Sequence, residues 1–315
     1  IRPKNLEIPV SFDYHITEFM QARKFVLRYN PLRNIIIRKW IRNIDGVISV
    51  SEALGEALRQ NNIKVDKVIH NGIKTGKINT SQETISAFKE RLGINAKSVV
   101  LFGGRLSGAK GGELILQAMK LIIGRNPKAV LLVMGNIDAY AERMRKQAGE
   151  LGISKNVIFA GWLNEHEVKV AYEISSVVAV PSVCFDSFPN GNLEAFAAGK
   201  PVVSTCFGGS REIVKDGENG FIVNPFDVYR LAEKISFLFD HPEKAKEFGE
   251  KGYKLVAEKY NFNNTRKVEV NSPINNLGEW AHQHGTTYRM LKLYNPWLRA
   301  SQLTNKLKKT YFIEL

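Results

Sequence analysis

The chain has 315 residues, 44% of them hydrophobic, and a formal net charge of +14 at pH 7. This length and apolar content predict a globular, soluble protein with two modest domains, each with its own core. No uninterrupted apolar run approaches the roughly 18 residues of a membrane-spanning helix, so no such helix is expected. Two cysteines, Cys184 and Cys206, are too few for a disulfide scaffold, and we interpret both as small buried residues in a reducing cytoplasm.

The excess positive charge lies mainly towards the two ends of the chain. Seven basic residues lie between Arg23 and Arg42 with no acidic residue among them, and the stretch from Arg266 holds eight basic and three acidic residues. After Pro31 the first stretch is amphipathic when wound as a helix. Residues 20–44 are therefore expected either to bind an anionic membrane surface or to pack on a core with a solvated basic face. No nucleic-acid-binding motif accompanies the charge, so nucleic acid is not expected as a partner.

The first regular elements precede residue 72. Two short strand patterns, at 46–50 and 65–69, flank a helix at 51–60 that has Ser51 as its N-cap. A Rossmann-type domain needs roughly 100 to 150 residues. Because this stretch is shorter and begins at Ile1 without an initiator Met, we expect a processed chain or a fragment that lacks the front of its first domain.

From residue 83 onward, strands alternate with helices, which predicts a parallel sheet covered on both faces. The predicted strands are 98–102, 129–134, 156–160 and 177–180, and the predicted helices are 83–92, 112–123, 138–151, 165–174, 190–199, 227–239 and 242–258. Ligands of such sheets bind at the carboxyl ends of the strands. We therefore expect Arg105, Gly135, Trp162 and Asp186, which follow four of the strands, to meet at one edge. Gly104, Gly135 and Trp162 are expected to contact the substrate there.

Two carboxylates, Asp186 and Glu194, bracket the loop and helix start that follow strand 177–180. The helix points its first backbone N–H groups and the positive end of its dipole above the sheet, which favours a phosphate. Those N–H groups belong to Asn190, Gly191, Asn192 and Leu193. The eight-residue spacing spans a loop and one helical turn, so both carboxylates can reach one cleft. On spacing alone, the commoner interpretation is a loop residue and a solvated helix residue.

Arg105 and Lys110 flank a turn of small residues after strand 98–102. Two cations around such a turn can fold over one diphosphate, the arginine as a fork and the lysine as a mobile point charge. Two exposed cations are also an ordinary surface feature. The turn is not a dinucleotide fingerprint, because no GxGxxG follows a strand.

One group of residues resembles the donor-site signature of the retaining family-four glycosyltransferases, which have the GT-B architecture of two facing Rossmann-like domains. The matching residues are Asp186-Ser187-Phe188-Pro189-Asn190, Leu193-Glu194-Ala195, Gly199, Pro201-Val202-Val203, Gly208-Gly209 and Glu212-Ile213-Val214. The family motif is two glutamates separated by seven residues. Glu194 matches the second glutamate, and Asp186, one methylene shorter, stands at the first.

The resemblance implies a role for each candidate residue. Glu194 would hold the ribose of a nucleotide-sugar, and Asp186 would orient the hydroxyls of its sugar. Arg105 and Lys110, which precede a Gly-Gly pair as in the family, would neutralise the phosphates of the leaving nucleotide. The backbone around Trp162 would contact the base, and its indole would either stack on the base or pack in the core.

The resemblance also implies the chemistry. The anomeric carbon gains oxocarbenium character as the diphosphate leaves, so stabilisation of the leaving group by the two cations and the helix start is expected to dominate catalysis. Enzymes of this type are thought to retain configuration by front-face attack without a protein nucleophile. No metal or other cofactor is expected, and no histidine clusters with acidic residues as metal ligands would. His15 lies where family members place a histidine near the acceptor.

Residues 263–315 have a different pattern. Strands are predicted at 267–270 and 310–313, with short helices at 277–284 and 287–294 between them. This order, with Leu291 and Asn295-Pro296-Trp297 after the second helix, resembles a LysM module, a small binder of N-acetylglucosamine polymers, and most of all those that end some lytic transglycosylases. The alternative is a helix that returns to the first domain, followed by a divergent tail.

Together these features predict an α/β chain of GT-B type, with a partial acceptor-side domain at 1–72, a nucleotide-sugar-binding domain at 73–262 and a LysM-like module at 263–315. The expected activity is hexosyl transfer from a UDP- or GDP-sugar to a glycan or lipid-linked acceptor, in cell-surface polysaccharide or glycolipid synthesis. Such an enzyme would be cytoplasmic or peripheral on the inner face of the membrane. The alternative is a non-catalytic carbohydrate-binding protein with a relic donor site. The shortened first domain leaves open whether this chain is active alone.

Overall fold

A computed structural model describes residues 46–60, 62–76, 80–261, 267–286, 300–305 and 309–314, with the single positions 288, 291, 292, 295 and 298. The basic segment 20–44 and His15 lie outside the described residues. The chain divides into two compact units, Ile1–Tyr260 and Asn261–Leu315. Within the described part, no helix combines the length and the apolar character that crossing a membrane requires.

The first unit alternates strands and helices along its described length. The strands are β1 (Ile48–Ser49), β2 (Lys67–Val68), β3 (Val99–Gly103), β4 (Val130–Met134), β5 (Val157–Gly161), β6 (Val177–Val180), β7 (Val202–Thr205) and β8 (Gly220–Val223). The helices are α1 (Glu52–Arg59), α2 (Gln82–Leu92), α3 (Gly112–Arg125), α4 (Ala139–Glu150), α5 (Glu165–Ile174), α6 (Asn190–Ala197), α7 (Ser210–Ile213), α8 (Val228–Asp240) and α9 (Pro242–Lys259).

Polar side chains fix several helix starts, of which the sequence predicts the Ser51 cap. The Ser51 hydroxyl accepts from the Leu54 N–H at 3.0 Å and so caps α1. Asp138 caps α4 in the same way. Asn164 and Glu167 form a capping box at α5, in which each side chain bonds the backbone N–H of the other residue at 3.0 Å. These contacts satisfy N–H groups that have no partner within the helix.

Six parallel strands form one sheet in the order β5-β4-β3-β6-β7-β8. β3 is an inner strand of the sheet. Its Val100 lies opposite Leu131 of β4 on one side and opposite Val177 of β6 on the other. The chain moves outward from β3 through β4 to β5 and then returns to the other side of β3 as β6. This is the order of a doubly wound Rossmann-type sheet, whose ligands bind where the direction of winding changes. β1 and β2 form a separate parallel pair.

The core of the first unit has two layers, one on each face of the sheet. Because successive strand residues point to opposite faces, Val100 packs with Ile115 of α3 on one face and Leu101 packs with Phe196 of α6 on the other. All four residues are fully buried. Helices α3, α4 and α8 cover the first face, and α2, α5, α6 and α9 cover the second. The predicted parallel sheet with helices on both faces is confirmed.

The second unit is a small α+β structure. Strands β9 (Lys267–Val270) and β10 (Tyr311–Glu314) pair antiparallel, with Val270 opposite Tyr311, and helix α10 (Leu277–Gln283) lies between them in the chain. Its core includes Leu277, Leu291 and Ile313, which are fully buried. The predicted helix 287–294 falls largely outside the described residues.

One expectation about the core is wrong. Cys184 and Cys206 are half-buried, not buried, and no disulfide joins them. Cys184 lies four positions after the end of β6 and Cys206 directly after β7, so both lie in loops at the edge of the sheet, outside its covered interior. Partial burial raises the pKa of the Cys206 thiol.

Candidate functional site

The candidate site lies where the winding of the sheet changes direction, at the carboxyl ends of β3 and β6. The loops that follow these adjacent strands are bonded to each other, since the Val183 N–H donates to the Ala109 carbonyl oxygen at 3.0 Å. Gly111 has a φ of +79°, and a Cβ at this position would lie 2.1 Å from the Pro181 carbonyl oxygen. Only glycine permits so close an approach of the two loops. The loops that carry Lys110 and Asp186 are thereby held side by side.

Lys110 and Asp186 form an ion pair across these loops. The Asp186 side chain is 14% exposed and that of Lys110 33% exposed, so the pair is partly shielded from water. Dissolved salt screens the attraction between two charges less in such a position than on an open surface. Two residues that are 76 positions apart in the sequence are therefore paired at the carboxyl edge of the sheet.

Arg105 lies on the same loop as Lys110 and is exposed. None of the ion pairs between described residues involves its guanidinium. The sequence predicts that both cations contact one diphosphate. The structure places both after β3, with Lys110 already bonded to Asp186 and Arg105 open to solvent.

The backbone of Asp186 is fixed by the Gly208-Gly209 pair that precedes α7. The Gly209 N–H donates to the Asp186 carbonyl oxygen at 2.9 Å. Gly208 has a φ of +66°, and a Cβ there would lie 1.9 Å from the same oxygen. The two glycines thus allow a close backbone contact that sets the position of Asp186.

Helix α6 begins at the site without a side-chain cap. Its N-cap is Pro189, which offers no side-chain acceptor, so the first backbone N–H groups of the helix depend on other partners. The side chains of Asn192 and Leu193 are buried, at 0% and 1% exposure. The Asn192 N–H donates to the Pro189 carbonyl oxygen at 3.1 Å, and its side-chain amide has no hydrogen-bond partner among the described residues. Asn190 is exposed, and its side-chain oxygen accepts from the Asn71 amide at 3.1 Å. Gly191 lies beside Val180 of β6.

Glu194 lies in the second turn of α6 and is half-buried. The Tyr172 hydroxyl donates to its Oε2 at 2.8 Å. Burial, and then the negative charge of Glu194, raise the pKa of Tyr172 well above its usual range. The phenol therefore remains protonated and remains the donor.

Three further predicted residues lie along the same edge at β3, β4 and β5. The Gly104 N–H donates to the Met134 carbonyl oxygen at 3.2 Å, and the Gly135 N–H donates to that of Gly161 at 3.0 Å. Trp162 follows Gly161, and its side chain is 78% exposed. The interpretation of Trp162 as a core residue is therefore wrong, since its indole is open to solvent at the edge where the predicted base would lie.

A third acidic residue, Glu212 of α7, joins the 46–72 segment to the site loops. Its carboxylate accepts from the backbone N–H groups of Glu52 and Ala53 in the first turn of α1, each at 2.9 Å, and lies 2.9 Å from His70 Nε2. Burial raises the pKa of Glu212, but these hydrogen bonds outweigh burial and hold it below its ordinary value. The His70 ring also packs on Phe188 of the Asp186 loop, with 5.0 Å between ring centroids.

Sequence reasoning missed these partners. It assigned no role to Tyr172, to His70 or to Glu212, although Glu212 belongs to the motif. A buried tyrosine usually bonds its hydroxyl, so Tyr172 in the apolar stretch before β6 was a signal that some polar partner exists. Nothing in the sequence identifies that partner as Glu194. Among the described residues, no group of three or more His, Cys, Asp or Glu side chains is arranged to hold a metal ion.

Two family models match the chain. The model described as Glycosyl transferases group 1 matches residues 84–255, and the model described as Soluble lytic transglycosylase C-terminal LysM-like domain matches residues 266–315. The second match confirms the LysM-like C-terminal domain. The interpretation of this region as a returning helix with a divergent tail is therefore wrong.

Individual proteins are similar over the first unit. An uncharacterized glycosyltransferase, MJ1607 of Methanocaldococcus jannaschii, is 35% identical over 71% of this chain and 58% of its own length. The GDP-mannose-dependent alpha-(1-6)-phosphatidylinositol monomannoside mannosyltransferase of Mycolicibacterium smegmatis is 27% identical over 58% of this chain and 49% of its own length. The chain thus spans about half to three fifths of the length of the curated relatives it matches.

Among solved structures, Anabaena Alr3699/HepE in complex with UDP has a TM-score of 0.64 and 26% sequence identity, over 70% of this chain and 61% of that one. Together with the family match and the six-stranded parallel sheet, this similarity confirms the GT-B fold class.

Proposed function

Because this chain belongs to the glycosyl transferases group 1 family, we propose that it transfers a hexose from a nucleotide-sugar to an acceptor, with retention of anomeric configuration as in family four. One observation carries the proposal. At the switch point of the sheet, the loop after β3 carries Arg105 and Lys110, the loop after β6 carries Asp186 paired with Lys110, and α6 begins without a side-chain cap and carries Glu194. Two cations and a helix N-terminus suit a diphosphate, and a carboxylate suits the ribose diol.

The donor is a nucleoside diphosphate sugar. HepE was solved with UDP, and the M. smegmatis relative is named as GDP-mannose-dependent, so both bases occur among similar proteins. In this chain the base would lie near the exposed Trp162, where an indole can stack on it. Gly104 and Gly135 line the path between the phosphates and the base.

Arg105 and Lys110 stabilise the charge that develops as the diphosphate leaves, together with the N–H groups of Asn190 to Leu193. Fixed donors in a partly shielded site are more effective than water at this task, because they need no reorganisation during the reaction. No metal is required in this scheme, and no protein nucleophile takes part. Asp186 orients the sugar hydroxyls.

The Lys110–Asp186 pair gives the site an order of events. A bound diphosphate competes with Asp186 for the lysine ammonium, so donor binding loosens the pair. Asp186 then has free oxygens with which to accept hydrogen bonds from the sugar. The shorter side chain of Asp186, compared with the glutamate of the family motif, is held in reach by the Gly208-Gly209 contact.

In this proposal the first domain forms the acceptor site. We propose a glycan or lipid-linked acceptor, with His15 near it and segment 20–44 on an anionic membrane surface, in cell-surface polysaccharide or glycolipid synthesis at the cytoplasmic face. The lipid named in the M. smegmatis relative supports the lipid-linked class. The LysM-like domain would hold the enzyme near polymers of N-acetylglucosamine.

A second function is supported by one observation, the LysM-like domain itself. In that case the chain binds wall polysaccharide, and its donor site is a relic weakened by Asp186. Binding of chitin oligomers without turnover of any nucleotide-sugar would favour this function over the first.

Donor turnover tests the proposal. The full chain is incubated in EDTA with UDP-glucose, UDP-N-acetylglucosamine or GDP-mannose, with phosphatidylinositol vesicles or chitin oligomers as acceptors, and released nucleoside diphosphate is measured. We expect release from one donor and a loss of about 100-fold in Arg105→Ala, because one charge-stabilising donor contributes on that scale. Arg125→Ala, at an exposed arginine that ends α3, is the matched control and keeps full activity. Equal rates in both variants would exclude Arg105 from the site.

A further inference from the structure

Tyr172 of α5 makes a contact that nothing in the family signature describes. Its side chain is 4% exposed, and its hydroxyl donates to Oε2 of Glu194 at 2.8 Å. No other hydrogen bond to the Glu194 side chain is formed within the described ranges, so Oε1 keeps its lone pairs for a ligand. One carboxylate oxygen is thus bound by the protein, and the other is available.

The helix that carries Tyr172 is held at both ends. The capping box of Asn164 and Glu167 fixes its start, and Arg91 of α2 bonds Glu167 at 2.6 Å. At its end, the backbone N–H and the hydroxyl of Ser175 both donate to the Tyr172 carbonyl oxygen, at 3.1 and 2.7 Å. The phenol therefore projects from a backbone with little freedom to shift.

The carboxylate of a glutamate, on its two-carbon stem, rotates readily unless one oxygen is anchored. If the rotation is fixed before the ligand binds, the entropic cost of binding is lower. The Tyr172 hydroxyl supplies the anchor, because burial keeps it protonated. Hydrogen bonds to charged groups are stronger than those between neutral groups. The anchored oxygen leaves Oε1 in a defined position.

We propose that Tyr172 is a positioning residue that fixes the Glu194 carboxylate for a ribose diol and so sets how strongly the site prefers a ribonucleotide over a nucleotide without ribose hydroxyls. This proposal rests on the proposed function, since it assumes that Glu194 receives the ribose. The competing explanation is that a buried phenol merely needs an acceptor. That explanation predicts that losing the hydroxyl affects all nucleotides equally.

The test compares two ligands that differ only in the diol. The full chain is titrated by calorimetry with UDP and with 2′,3′-dideoxy-UDP, and with the matching GDP pair, in the wild type, Tyr172→Phe and Glu194→Gln. Tyr172→Phe keeps the ring and removes only the hydroxyl. Tyr140→Phe is the matched control, because Tyr140 is a buried tyrosine of the same unit whose hydroxyl has no hydrogen-bond partner among the described residues.

We expect Tyr172→Phe to weaken binding of the ribonucleotide by about tenfold, the scale of one hydrogen bond to a charged group, and to leave the dideoxy affinity within about twofold. The preference for the diol then falls in Tyr172→Phe and in Glu194→Gln, and stays at its wild-type value in Tyr140→Phe.

Two other outcomes overturn the proposal in distinguishable ways. If Glu194→Gln abolishes the preference but Tyr172→Phe leaves it unchanged, Glu194 needs no anchor and only the role of Tyr172 is wrong. If the wild type binds no nucleotide, or if Glu194→Gln leaves the preference intact, the assignment of the donor site fails and the role of Tyr172 fails with it.

Discussion

At the residue scale, Asp186 is held from two directions. Lys110 bonds its carboxylate, and the Gly209 N–H bonds its carbonyl oxygen. A side chain one methylene shorter than glutamate reaches less far from its own backbone, so the position of that backbone matters more. The close contact between Gly208 and the Asp186 carbonyl oxygen is the feature that sets it.

Substitution of Gly208 tests this contact. Both Gly208 and Gly199 have a φ of +66°, but a Cβ at Gly208 meets the Asp186 oxygen at 1.9 Å while one at Gly199 meets nothing within 4 Å. We expect Gly199→Ala to lower the free energy of unfolding by about 1–2 kcal/mol, the cost of the left-handed backbone. Gly208→Ala should lower it by about 2–4 kcal/mol, because displacement of the Asp186 loop is added. Only Gly208→Ala should also weaken nucleotide binding.

Urea unfolding gives the two free energies, and calorimetric titration gives the two affinities. Equal losses of stability and unchanged nucleotide binding in both variants would mean that the contact does not position Asp186.

At the scale of elements, α7 connects the start of α1 with the loop that carries Asp186. Glu212 receives two N–H groups of α1 and the His70 side chain, while the preceding glycines bond the Asp186 loop. A carboxylate at a helix N-terminus is favoured by the dipole of the helix as well as by the hydrogen bonds. The Glu212 carboxylate therefore joins segment 46–72 to the candidate site, together with the Asn71–Asn190 hydrogen bond and the packing of His70 on Phe188.

Removing this charge should produce a pH-dependent loss of stability. We expect Glu212→Gln to lower the free energy of unfolding by about 1–2 kcal/mol at pH 7, because the amide accepts more weakly from the N–H groups of α1. The folded-state pKa of Glu212 lies below its ordinary value of 4.5. Its contribution is therefore complete above pH 4.5 and declines as the pH falls through the lower, folded-state pKa.

Thermal unfolding of the two proteins between pH 7 and pH 3 measures this difference. The difference in the free energy of unfolding between wild type and Glu212→Gln should become smaller below pH 4.5. A difference that stays constant over this pH range would show that the charge of Glu212 does not stabilise the contact between α7 and the start of α1.

The elements themselves followed closely from the sequence. The Ser51 cap predicted the start of α1, and apolar runs such as Val130–Met134 predicted strands, because these signals are local. The location of the candidate site could be predicted in part from the sequence, because parallel strands bring their carboxyl ends to one edge of the sheet. The contacts between Tyr172 and Glu194 and between His70 and Glu212 could not be predicted, because side-chain partners separated by 22 and 142 residues depend on how helices pack.

At the scale of the whole molecule, the chain combines a Rossmann-type domain of the glycosyl transferases group 1 family with a LysM-like domain. The net charge of +14 favours anionic partners such as a nucleoside diphosphate or an acidic membrane surface, without specifying either. The first unit contains each group that the donor proposal needs. Donor binding by this unit can therefore be tested without knowledge of the acceptor.

The most direct measurement is calorimetric titration of the full chain with UDP and GDP in EDTA. We predict that one of them binds with a dissociation constant on the order of micromolar, and that Glu194→Gln weakens it by about 10- to 100-fold through loss of a charged acceptor. Glu90→Gln, at an exposed glutamate of α2, should bind like the wild type. Absence of binding by both nucleotides, or equal affinity in wild type and Glu194→Gln, would contradict a donor site at the switch point of the sheet.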